Sequence, residues 1–505
     1  MKIANLSALR ATYRFAVPEL VSSRIHGNYQ DKNASAEHLP IIYPASGEQV
    51  ALLQEADKNE VEQAVGSARQ VFASGIWADM PVAERQAILR RGQRLIIEHQ
   101  KELAFLECLN AGLPMYNLQS RQVPRAAENF GFFADYIGQM AGETFEQLSG
   151  YLSLVTRQPA GVAALLAPWN APLALASMQI ASAIAFGNSC VLKPSEHTPL
   201  AIGRMVELLE QAGLPPGVVN VLNGRGHISG QALVAHPGID RIAFTGGTAT
   251  AKTIMANAAA NLTPVHLELG GKSANIIFDD ADFESALDGS LLGAFGNNGQ
   301  MCLAGSRILV QRNIAGRFIE AFIERTKNLR VGDPMDPTTE IGPLAFESHA
   351  RRVAGYVDIA VAEGAVLLAG GAPLDGCFFQ PTVVQVESNR GRVCQEEIFG
   401  PFVVIQVFDQ DAEALAIAND SEYGLACYVW TANLSRALAM QRKIQAGTVW
   451  INTSLMRDLR APFGGFKNSG IGRDGSRQCA EFYSEEKSTV VARGAVQMRK
   501  LGVGD

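Results

Sequence analysis

The sequence predicts an α/β protein organised around two separate parallel sheets. Three features of the 505 residues carry that expectation. From Gly161 onward short apolar segments alternate with amphipathic helical stretches, the texture of βαβ units. After Glu268 the alternation starts afresh, as if a second domain begins there. Two strand candidates end in glycine or proline turns, PWNAP at 168–172 and FTGGT at 244–248, and ligands of open α/β sheets bind beyond the carboxyl ends of strands.

Taken in order, residues 1 to about 50 read as an irregular arm with short strands. Asp57 to Ala73, Pro81 to Leu106 and Asn117 to Ile137 place apolar residues three and four apart and are expected as helices. The first sheet is expected from VAALLA, SCVLK, VVNVL and RIAF, with helices over Leu173 to Phe186 and Leu200 to Ala212 between them. The second domain is expected from SANIIFDD and SRILVQ with helices over Phe283 to Phe295 and Ile314 to Leu329. Glu143 to Arg157 and the tail STVVAR at 488–493 alternate apolar and polar residues, so both are expected as strands that could pair with another subunit. An active site belongs between the two domains.

Composition narrows the class. With 47% hydrophobic and 18% charged residues the chain is no disordered segment, and its length calls for two or three domains. A net charge of −7 and a pI near 5.7 offer no basic field for nucleic acid or an anionic membrane, which leaves a small-molecule substrate as the expected partner. The seven cysteines are scattered without a CxxC pair, which argues against a disulfide framework and against a metal site and suits a reducing, cytoplasmic setting. The N-terminal MKIANLSALRATYRF has no apolar core of a signal peptide, and no segment is apolar for long enough to span a bilayer.

One cysteine stands out. FGNNGQMC at 295–302 sets Cys302 among small and polar residues, unlike the apolar settings that mark structural cysteines. Upstream, HLELGGKSAN sets Glu268 in a mostly apolar stretch before two glycines. A nucleophile and a base are both in view.

Seven stretches taken together resemble the aldehyde dehydrogenase superfamily: APWNAP at 167–172, KPSEHTP at 193–199, FTGGT at 244–248, LELGGKSA at 267–274, GQMC at 299–302, EEIFGP at 396–401 and PFGGFKNSGIGRD at 462–474. They run in order over nearly the whole chain. The resemblance implies a Rossmann-like NAD-binding domain at 1–140 and 160–272, a second α/β catalytic domain at 273–470, and a small β oligomerisation element at 141–159 and 480–505. It implies oxidation of an aldehyde to a carboxylate by a homodimer or homotetramer. Cys302 matches the family nucleophile, whose thiolate adds to the aldehyde and leaves a thioester after hydride transfer. Asn170, with the Cys302 backbone N–H, matches the donors to the developing oxyanion. Glu268 matches the base that activates water, and its presence separates the chain from members that pass the acyl group to coenzyme A.

For the cofactor, the resemblance assigns Leu166, Trp169, Lys193, Glu196, Gly226, Gly246, Gly247, Glu397 and Phe399. A carboxylate at Glu196 accepts from ribose hydroxyls and repels an added 2′-phosphate, so NAD is expected over NADP. Gly247 stands where the family commonly has Ser, and Ala251 where it has Gly, so one hydroxyl toward phosphate is missing. No metal is expected.

Substrate choice rests on less. Ala171, Leu175 and Met178 replace the aromatic lining of enzymes for simple aliphatic aldehydes. MRDLRAPFGG at 456–465 and SRQVPRAAENF at 120–130 resemble the 2-hydroxymuconic and 2-aminomuconic semialdehyde dehydrogenases, which implies Arg121, Arg457 and Arg460 as guanidiniums for a distal substrate carboxylate. The alternatives are a broad-specificity aliphatic or aromatic aldehyde dehydrogenase whose arginines are structural, a non-catalytic binding relative, and a thiol acyl-transfer enzyme, which would need a histidine partner for Cys302.

Overall fold

The structure is a computed structural model that describes residues 3–31, 36–146, 148–496 and 498–502; the remaining residues of the expected domains lie outside the described ones. The first sheet has eight strands. At its centre Val265–Glu268, Arg241–Thr245, Val162–Leu166, Ser189–Lys193 and Val219–Val221 run parallel, in that spatial order. Its strands are mostly apolar on both sides because both faces are covered: Ala163, Leu165, Cys190 and Leu192 face one core, while Val162, Ala164, Val191 and Phe244 face another. The second sheet has seven strands, with Thr382–Gln385, Phe402–Phe408, Arg307–Gln311, Ala274–Ile277, Ala426–Trp430 and Thr448–Ile451 parallel and Val366–Ala369 added antiparallel at one edge.

Local chemistry sets several boundaries. Asp57 accepts from Glu60 N–H and starts the helix Lys58–Ala73, and Asp282 does the same from Ser285 N–H for Phe283–Phe295. The single helix expected over Pro81 to Leu106 is two, Val82–Glu98 and Gln100–Ala111. His99 leaves helical geometry between them (φ −96°, ψ 17°) and turns its ring to Glu102 at 2.6 Å. The stretch from Asn117 begins with a π turn, Leu118–Gln122, before the helix Val123–Ile137. Asn129 donates from that helix to Ala174 O and Ser177 Oγ on helix Pro172–Ala185, locking the two together.

Two findings concern connectivity. Gly470–Ile471, at the end of the stretch expected for the second domain, pairs antiparallel with Val265–Glu268 and so belongs to the first sheet. Glu143–Phe145, Tyr151–Pro159 and Ser484–Ala492 form their own three-stranded antiparallel sheet, so the two alternating segments pair first with each other. That sheet is largely exposed, with Val490 and Phe145 on its surface. No helix among the described residues is long and apolar enough to cross a membrane.

Candidate active site

Leu166, Lys193, Thr245 and Glu268 each end a parallel strand of the first sheet, so the sequence alternation itself delivers these residues to one edge. Asn170 lies in the turn after Leu166, buried, and its side-chain amide donates to Gln300 O at 2.8 Å. That bond uses one amide proton and leaves the other for a ligand. The helix that follows, Pro172–Ala185, has no side-chain cap of its own; Glu107 supplies one from the helix Gln100–Ala111 by accepting from Leu173 N–H at 3.1 Å.

The polar residues before Cys302 are buried fasteners. The helix Phe283–Phe295 stops at Gly296, and Asn297 and Asn298 both take left-handed backbone angles (φ 55° and 58°). Asn297 donates to Asn170 O and accepts from Asn117 and Gln122. Asn298 donates to Pro343 O and accepts from Gly342 N–H, while Gln300 accepts from Ala345 N–H. With the turn so bolted, Cys302 is the half-buried member of a set whose six other cysteines are buried. Gly271 packs against it: a Cβ there would stand 2.4 Å from the Cys302 carbonyl oxygen.

Burial pushes the Cys302 thiol up to about 12, helped by Glu397 and Glu268; Arg125 pulls the other way. Burial likewise raises Glu268 to about 7, against the hydrogen bond from His266, and leaves its Oε2 without a protein partner. A carboxylate with that value exchanges a proton near neutrality. Gly464 makes room for it, since a Cβ at that position (φ 155°) would lie 2.7 Å from Glu268 Oε1.

Several of the residues expected to hold a dinucleotide have local features that suit one. Lys193 is buried, donates to Pro194 O at 2.8 Å and stands 3.7 Å from Glu196. The helix Thr248–Ala259 begins at Gly247 without a side-chain cap, and open space lies where Cβ atoms of Gly226 and Gly247 would be. Free first-turn amides at a helix N-terminus suit a pyrophosphate. Trp169 packs edge-on to Phe399 at 5.2 Å, and Glu397 accepts from Gly271 N–H at 2.8 Å. Burial raises Glu397 to about 7 as well. The chemistry of these residues is compatible with the dinucleotide expected there.

The arginines divide. Arg460 is exposed, with its guanidinium clamped by Asp458 through Nε and Nη2, so it does not join the others. Arg457 is three-quarters or more buried, lies over the Phe463 ring at 4.4 Å, and keeps Nε and Nη2 without hydrogen-bond partners, its nearest carboxylate being Asp474 at 3.7 Å. Trp450 Nε1 donates to Met456 O and so fixes the loop before it. Arg121 stands on the π turn, exposed. Arg125, which the sequence left unassigned, lies one turn further on. Burial first, and then the charges of Arg457 and Arg121, lower it to about 10, while Asp474 and Cys302 act in the opposite sense. No carboxylate among the described residues comes within ion-pair distance of Arg121 or Arg125. Arg125 could have been suspected from its place four residues after Arg121, which puts both on one helical side.

Sequence reading also passed over His266 and Asp474. His266 sits between Glu268 and Asp474, with Met178, Leu175, Gln179 and Tyr483 around a cavity of about 10 Å³. Met178 and Leu175 thus line the space beside Glu268.

This fold, with its half-buried thiol and its buried carboxylate and amide, is that of the aldehyde dehydrogenase class. Residues 30–489 match the aldehyde dehydrogenase family, and the chain belongs to it. It is 44% identical to the 5-carboxymethyl-2-hydroxymuconate semialdehyde dehydrogenase of Escherichia coli over 86% of this chain and 93% of that protein. It is 39% identical to a betaine aldehyde dehydrogenase of Mesorhizobium japonicum (strain LMG 29417 / CECT 9101 / MAFF 303099) over 94% of this chain and 98% of that one. Among solved structures, an indole-3-acetaldehyde dehydrogenase complexed with NAD+ superposes with a TM-score of 0.93 at 39% identity, covering 96% of this chain and 99% of that one. The protein is an oxidoreductase acting on aldehydes.

Proposed function

We propose that this enzyme oxidises a semialdehyde bearing a carboxylate at its far end, of which 2-hydroxymuconic semialdehyde is representative, to a dicarboxylic acid. The supporting observation is Arg125, whose charge acts on Cys302 and which feels the charges of Arg121 and Arg457, the latter with Nε and Nη2 free of hydrogen-bond partners. Three positive charges here share one nearby carboxylate, Asp474, and a substrate carboxylate supplies a second. Betaine aldehyde carries a quaternary ammonium, for which the same group is repulsive and for which an aromatic cage would be required. The relationship to the Escherichia coli semialdehyde dehydrogenase favours the same reading.

In this reading Cys302 adds to the aldehyde, Asn170 Nδ2 and the Cys302 N–H hold the oxyanion, and Glu268 takes a proton from the water that hydrolyses the thioester. Leu166, Trp169, Lys193, Glu196, Gly226, Gly246, Gly247, Glu397 and Phe399 would hold NAD, which would supply the hydride acceptor. Residues 1–140 and 160–272 with the returning strand Gly470–Ile471 hold the cofactor, 273–470 carry the chemistry, and the exposed sheet within 141–159 and 480–505 joins subunits of a cytoplasmic homodimer or homotetramer. Steady-state assays with NAD should give a kcat/KM for 2-hydroxymuconic semialdehyde about 100-fold above that for betaine aldehyde, the equivalent of ~2.7 kcal/mol. Equal or better turnover of betaine aldehyde would defeat the proposal.

A further inference from the structure

The strand that ends in Glu268 carries His266 two residues earlier, and that spacing puts both side chains on one face of the sheet. His266 is 5% exposed. Its Nε2 lies 3.3 Å from Glu268 Oε1, and its Nδ1 lies 3.7 Å from Asp474 Oδ1. Asp474 in turn reaches a more open position, 3.7 Å from Arg457, where its side chain is 16% exposed. Phe482 packs its ring against the imidazole at 5.4 Å, and Gly472 allows the close approach of the 470s loop, since a Cβ there would meet His266 Cδ2 at 2.7 Å.

We propose that His266 is a positioning residue that relays protons from Glu268 to Asp474, connecting the buried base to solvent. The inference rests on Glu268 being the base. Hydrolysis requires such a route. As the water oxygen bonds to the thioester carbon, its O–H breaks and the proton goes to Glu268; the C–S bond breaks and its electron pair stays on Cys302 Sγ. Glu268 must then lose that proton before the next turnover, and it is enclosed. His266 can take the proton at Nε2 while giving the one on Nδ1 to Asp474 once a bridging water or a small turn of the ring closes the 3.7 Å gap, and Asp474 returns it to water; tautomer exchange resets the ring, and no net charge is left behind. The small cavity at Glu268 has room for one water at the start of the route.

The groups facing His266 are consistent with a ring that exchanges protons. Burial opposes protonation, whereas Glu268 and Asp474 favour it and outweigh burial, and Arg473 from the same loop as Asp474 opposes it. Cys479 and Tyr483, from the helix Ser476–Phe482 and the residue after it, stay neutral because burial raises both.

The test separates the two half-reactions in the NAD-loaded enzyme. His266→Ala should keep a stoichiometric burst of NADH and lower the steady-state rate about 10-fold or more, and added imidazole should restore turnover in proportion to its neutral form. His266→Gln, which keeps a hydrogen bond to Glu268 but carries no proton, should show the same slow turnover with a wild-type melting temperature and no loss of burst. Wild-type turnover and an unchanged pH profile in His266→Gln overturn the relay, as does a slow His266→Ala that imidazole leaves unimproved. Glu268→Gln run in parallel distinguishes the premise: wild-type steady turnover there means that Glu268 is not the base.

Discussion

The side-chain amide of Asn297 donates to the main-chain carbonyl of Asn170 at 2.8 Å, tying the turn before Cys302 to the turn that carries the candidate oxyanion donor. The two turns come from different sheets, so this bond sets the relative position of nucleophile and amide.

Asn297→Ala removes that bond and leaves Asn117 and Gln122 without their acceptor. It also forces an alanine into the left-handed region. The expected outcome is a kcat reduced about 10-fold, with KM changed less, and a stability loss of about 2 kcal/mol, measured by steady-state kinetics and thermal melting.

The general-base assignment carries a pH signature. Glu268 must be ionised to accept a proton, and burial places its titration at about 7, so hydrolysis should rise as pH increases through about 7 and level off above it. Glu268→Gln should give one NADH per site and then stop at every pH. Rapid-mixing absorbance measurements read both.

Arg125 and Arg460 should behave oppositely. Arg125→Gln removes a half-buried guanidinium whose charge acts on Cys302, so KM for a carboxylate-bearing semialdehyde should rise about 10- to 100-fold, and alkylation of Cys302 should slow because the one nearby charge that lowers its pKa is gone. Arg460→Ala removes an exposed side chain already engaged by Asp458 and should change neither measurement.

Glu107 predicts a stability effect. Its carboxyl is fully buried and raised by burial to about 8 from an ordinary 4.5. The folded state therefore favours the protonated form, a contribution that is complete below about pH 4.5 and lost as pH rises through about 8. Glu107→Gln keeps an acceptor for Leu173 N–H without the charge. Its melting temperature should gain on that of the wild type between pH 5 and pH 8.5, as scanning calorimetry would show.

Much of the architecture was legible because it is local. The strand Val162–Leu166 is apolar without interruption since both its faces are covered, and Asp57 and Asp282 announce the helices that they cap. The break at His99 was not legible, because the helical pattern runs straight through it and only the ring's contact with Glu102 marks the turn.

Sequence alone put Cys302, Glu268 and Asn170 forward together, through motifs that resemble those of the aldehyde dehydrogenases. It also determined that the strands would end at a common edge. Tertiary structure decided what the surroundings do to them. The polar run before Cys302 proved to be buried fastening, Arg460 turned outward to Asp458 while Arg125 entered the site, and His266 met Asp474. The physical reason is that burial and pairing depend on partners distant in sequence. A guanidinium that finds a carboxylate two residues away is spent at the surface, whereas one carried inward on a helix keeps its charge for a ligand.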